Sequence, residues 1–86
     1  MAWEISDPYG VEDDIHDMGP AVWGAWLEVR PHLLQDPNPT NPSLHITETR
    51  TTQLWLPWTD VYVLIFCTDD EHVMLIKAVD LLDEVT

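Results

Sequence analysis

The chain has 86 residues, enough for one hydrophobic core and too few for two, which predicts a single domain. Sixteen acids against three bases give a formal net charge of −13, so the surface is not built to neutralise phosphates and no direct nucleic-acid binding is expected. A hydrophobic content of 45% with five tryptophans excludes an acidic, disordered tail.

Ala2 to Ser6 alternates, with Trp3 and Ile5 on one side and Glu4 on the other, and predicts an N-terminal strand. Asp7-Pro8 marks a turn or a helix start. Val11, Ile15 and Met18 recur at i, i+4 and i+7 and predict a short helix over 11–18. Glu12, Asp13, Asp14 and Asp17 lie mostly on its solvent side, and Gly19-Pro20 ends it. A second helix is predicted from Ala21 to about Leu34, with Val22, Trp26, Val29 and Leu33 as its apolar stripe. Pro31 predicts a kink or break near Arg30, because an interior proline removes a hydrogen bond and clashes with the preceding turn. The run DPNPTNPS over 36–43 is a loop within the domain. Leu44 to Leu56 favours extended structure, and Pro57 points to an edge or a turn. Val61 to Cys67 and His72 to Val79 are apolar at nearly every position, as central strands covered on two faces are. Thr68 to Glu71 supplies the turn between them. Leu81, Leu82 and Val85 predict a short tail or helical turn. The order β-α-α-β-β-β predicts an α+β fold, with two helices on one face of a small antiparallel sheet and the last two strands paired as a hairpin.

With Arg30, Arg50 and Lys77 as the whole basic complement, the natural partners are themselves basic. The same composition suits plain solvation or a high-salt cytoplasm. Cys67 is the only cysteine and sits in an apolar run, where it reads as a small buried hydrophobe. The start MAWEIS lacks a basic leader pattern, and the apolar run Val61 to Cys67 is far short of a membrane span. A cytoplasmic protein without membrane contact is expected.

Few groups suggest chemistry. Asp13, His16 and Asp17 share a helix face through i+3 and i+4 spacing, a set that suits a transition metal. The stronger reading is a solvated helix start, where acids favour the positive dipole end, so no metal and no other cofactor is expected. Asp69, Asp70, Glu71 and His72 form a second acidic patch that reads as turn chemistry. No serine or cysteine stands beside a histidine in a nucleophile motif, and the three glycines form no phosphate loop. The tryptophans read either as core or, in Trp55-Leu56-Pro57-Trp58, as an exposed aromatic edge of the kind that anchors a partner. Trp55 and Trp58, with Asp13, Asp14 and Asp17, are the candidate partner-binding residues.

The opening strand AWEIS, the helical hairpin ending in LLQDPNP, the strand TTQLWLPW and the paired DVYVLIF and EHVMLIKAV together resemble the RelE/ParE-like toxin superfamily over nearly the whole chain. The run Tyr62 to Phe66 looks most like the family's penultimate strand. The resemblance implies a component of a toxin–antitoxin module. In the RNA-cleaving members an arginine typically follows the tyrosine of that strand, and here the place is Val63. Those members also carry basic residues after the last strand, where this chain runs into Asp80, Leu81 and Leu82. Arg50 and Lys77 are the only basic candidates left on the sheet for a catalytic role, too few to stabilise a phosphorane and protonate a leaving oxygen. The expectation is therefore a toxin-like component that acts by binding protein and does not cleave RNA. Its partner would be a basic protein or an antitoxin-like segment, and a homodimer is compatible with the pattern. An acidic mimic of nucleic acid, inhibiting a DNA-binding or defence protein, is the alternative. An RNase using Arg50, Lys77 and the histidines ranks last.

Overall fold

Alternating apolar residues build one five-stranded sheet in a computed structural model that describes residues 3–84. The elements in chain order are β1 (Glu4–Ser6), α1 (Val11–Asp17), α2 (Pro20–Gln35), β2 (His45–Glu48), β3 (Thr52–Trp55), β4 (Val61–Cys67), β5 (His72–Asp80) and α3 (Leu81–Glu84). The strand order is β1-β5-β4-β3-β2. The fold is α+β, as the sequence predicts.

Four details depart from the sequence reading. The sheet is mixed: β2 to β5 run antiparallel, but β1 pairs parallel to β5, with Glu4 opposite His72 and Ile5 opposite Val73. The two helices carry the chain from β1 at one edge of the sheet to β2 at the other, and the antiparallel run β2 to β5 then brings the last strand back beside the first. The extended stretch over 44–56 is two strands, because the chain reverses at Thr49 to Thr51 and pairs Glu48 with Thr52. The third departure is at Pro31, which breaks nothing; α2 runs through it for 16 residues. Pro31 is exposed, and Leu27, whose carbonyl loses its donor, is 48% exposed one turn earlier. The missing bond therefore falls on the side that water satisfies.

The fourth departure concerns β4 and β5, which among the described residues have the helix-side core on one face and exposed apolar side chains on the other. In antiparallel ladders opposed residues share a face. Val63 opposes Ala78 and Leu54, and Ile65 opposes Leu75; these side chains join Val11, Ile15, Trp26, Val29 and Leu33 in the helix-side core. Tyr62, Leu64 and Phe66 take the other face, and Phe66 is 60% exposed. Val79, opposite Tyr62, is buried yet lies outside the helix-side cluster, as its place on that second face requires. Ile76 has no partner in the ladder: Leu64 pairs with Lys77 and Ile65 with Leu75. This bulge keeps Ala78 on the core side and leaves Ile76 exposed.

The ends of α1 and α2 follow from local chemistry. The Asp7 carboxylate accepts the N–H groups of Val11 at 2.7 Å and Glu12 at 2.9 Å and so starts α1. Gly10 between them has φ 69°, a turn that glycine makes without strain. One Glu12 carboxylate oxygen accepts both the Trp26 indole N–H at 2.7 Å and the Arg30 Nε–H at 2.9 Å, which fastens α1 to α2. Asn41 closes the loop after α2 by donating to the Asp36 carbonyl at 2.7 Å. The helical turn expected at the C-terminus is α3; Val85 lies outside the described residues, as does Ala2 of the N-terminal strand reading.

Candidate protein interface

Pro57 and Trp58 are the two central residues of the turn between β3 and β4. Proline presets the first of them, and the second takes a positive φ, 62° at Trp58, where glycine or asparagine is usual. Thr59 fixes the turn: its hydroxyl donates to the Leu56 carbonyl at 3.0 Å and accepts the Val61 N–H at 3.1 Å. The turn holds the Trp58 side chain out from the fold, 84% exposed. Trp55 is half-buried. It lies between the tilted rings of His45, 6.3 Å away, and Tyr62, 4.8 Å away, on neighbouring strands. Its indole N–H donates to the Thr47 hydroxyl at 3.0 Å. Trp55 and Trp58 border one groove of about 420 Å³, with Val29, Leu44, His45 and Leu56 among its walls. The two tryptophans singled out in the sequence are thus brought to one site.

The acids are not part of it. Asp13, Asp14 and Asp17 are exposed on α1, and none of them lines the groove. Among the described residues no three histidine, cysteine or acidic side chains are grouped as metal ligands. Arg50 and Lys77 both stand near Leu64 on the helix-free side. Arg50 lines a second depression with Leu64, Phe66 and Ile76, and Lys77 faces Leu64 across the ladder. Among the described residues no histidine lines that depression. His45 was missed as an interface residue, and the signal for it was its place opposite Trp55 once the 44–56 stretch is read as a hairpin.

Cys67 corrects another reading. It is exposed at the end of β4, not buried. Neighbouring protein atoms desolvate its thiol and the Glu48 carboxylate repels a second negative charge, so its pKa is raised and it is a poor nucleophile.

His72 ties β1 to β5. Its Nε2 lies 3.3 Å from the Glu4 carboxylate, and its Nδ1 lies 3.0 Å from the Asp70 carbonyl and 3.3 Å from the Asp70 carboxylate. Both ring nitrogens face acceptors, an arrangement that suits the charged ring. Desolvation opposes that charge, but the Asp70 carbonyl and carboxylate and the Glu4 carboxylate outweigh it and raise the pKa above 6.5. Asp70 is held below 3.8, first by the Thr68 hydroxyl and further by His72. The His72 contribution to stability is therefore complete below pH 6.5 and fades as the pH rises through the raised value. The Asp70 contribution is complete above pH 3.8 and fades as the pH falls through the lowered value. Both act between pH 3.8 and 6.5. The gap in thermal midpoint between wild type and His72→Gln should be wider at about pH 5 than at about pH 8.5. An equal gap at both would remove His72 as the source.

Compared with known proteins, the chain matches no family model, and no curated protein matches it in sequence. Among the described residues no helix is long and apolar enough to cross a membrane.

Proposed function

We propose that the chain is a protein-binding module, a toxin-like component of a toxin–antitoxin pair that acts in the cytoplasm without cleaving RNA. The observation that carries protein binding is Trp58. A bulky residue at positive φ is costly, and a tryptophan 84% exposed contributes little to the core. Beside a groove that Trp55 also lines, it has the character of an interface anchor. The net charge of −13 selects a basic partner. The resemblance of the strand run Tyr62 to Phe66 supports the toxin-like part of the reading, and Val63 in place of arginine supports the absence of cleavage.

The test is co-expression with the product of the adjacent reading frame. A salt-sensitive complex should survive purification, and expression of the chain alone should leave transcripts intact. Cleaved transcripts on expression of the chain alone would overturn the non-cleaving part. An adjacent product that never co-purifies would overturn the pairing. A second reading, mimicry of nucleic acid, rests on Asp13, Asp14 and Asp17, all exposed on α1. It requires that neutralising these three abolish binding to a DNA-binding protein while Trp58→Gly leaves it intact.

A further inference from the structure

A third depression, of about 440 Å³, lies on another part of the surface. Trp3, Asp36, Pro37, Glu48, Phe66 and Cys67 are among its walls. They come from four separate segments. Trp3 is held beside the end of α2 by its backbone N–H, which donates to the Leu34 carbonyl at 2.8 Å. Asp36 and Pro37 follow α2 directly, Glu48 ends β2, and Phe66 and Cys67 end β4.

The Trp3 ring and two carboxylates share this groove, and among the described residues no lysine, arginine or histidine lines it. Neither carboxylate has a cationic partner among the described residues. Asp36 accepts the Asn38 N–H at 3.1 Å, which leaves acceptor capacity on the same group. Glu48 shares a sheet face with Cys67, since it opposes Thr52 and Thr52 opposes Ile65, two residues before Cys67 on β4. Two like charges beside one groove repel each other, and a cation between them relieves that repulsion. Aromatic faces carry negative quadrupole density and favour the same ligand. Anions, nucleotide phosphates among them, are disfavoured by the same carboxylates.

We propose that this groove receives the cationic head of a lysine or arginine side chain from a basic protein partner. Arginine fits better, because its planar guanidinium stacks on an aromatic ring while pairing with a carboxylate. The proposal rests on the protein-binding reading and adds a second contact, separate from the groove of Trp55 and Trp58, that recognises charge.

Cys67 provides a reporter inside the groove. The rate of its alkylation is measured against rising concentrations of a nine-residue peptide alternating arginine and glycine, with a glutamate–glycine peptide as control. The arginine peptide should slow alkylation to saturation and the glutamate peptide should not. Half-saturation is compared between variants, because Glu48→Gln itself changes the reactivity of the thiol. Asp36→Asn and Glu48→Gln should each raise the half-saturating concentration by about threefold to fivefold. The double variant Glu28→Gln/Asp69→Asn changes the net charge as much as Asp36→Asn/Glu48→Gln does, at exposed positions outside the groove, and should leave it unchanged. If the two double variants shift binding equally, the peptide is responding to overall charge and the groove assignment falls. That result would leave the protein-binding reading to its own co-purification test.

Discussion

Trp26→Ala should cost about 3–5 kcal/mol of folding stability. A domain of 86 residues has roughly 4–13 kcal/mol in total, so the variant loses a large share of it. Trp26 is fully buried, and it sits where α1, α2 and the sheet meet. Its loss would do two things at once. It empties the largest side-chain volume in the core. It also removes the indole N–H from the Glu12 oxygen that Arg30 shares. Trp26→Phe separates the two effects. The ring largely remains and the donor goes, so the cost should fall to about 1–3 kcal/mol. Urea titration followed by circular dichroism measures both. A loss below about 1 kcal/mol for Trp26→Ala would mean that the helices are fastened to the sheet elsewhere.

The periodicity that identified Trp26 also shows what a sequence can and cannot carry. Val22, Trp26, Val29 and Leu33 repeat at helical spacing, so α2 and its buried side were legible from local pattern alone. The same holds for β4, whose bounds Val61 and Cys67 agree with the apolar run. What failed was information that depends on a neighbour. Whether Pro31 breaks a helix depends on which side faces water. Whether Phe66 and Cys67 are covered depends on where the helices lie: Phe66 is on the face away from them, and Cys67, opposite Val73 on the helix side, ends its strand exposed. The direction of β1 depends on how far α1 and α2 carry the chain before β2 begins. For the site, Trp55 and Trp58 were readable because a proline turn between apolar runs has local causes. The groove of Trp3, Asp36, Glu48 and Phe66 was not readable, since four segments distant in sequence build it.

Trp58→Gly should move stability and binding in opposite directions. At φ 62° a residue with a side chain is strained by about 1–2 kcal/mol relative to glycine. Because the indole is 84% exposed, its removal forfeits little buried area. Glycine adds back some freedom to the unfolded chain, which subtracts about 0.5–1 kcal/mol from the gain. The net result should be a variant as stable as wild type or up to about 1 kcal/mol more stable. Binding of the co-purified partner should weaken by about thirtyfold or more, the loss of an aromatic anchor worth at least about 2 kcal/mol. Thermal unfolding and titration calorimetry on the same preparation read both quantities. Trp58→Asn tests the backbone separately, since asparagine tolerates the left-handed region and likewise lacks the ring. Both substitutions should weaken binding alike if the ring is what the partner grips. A large drop in stability with binding preserved would instead make Trp58 a structural residue of the β3–β4 turn, and the protein-binding reading would lose the observation that carries it.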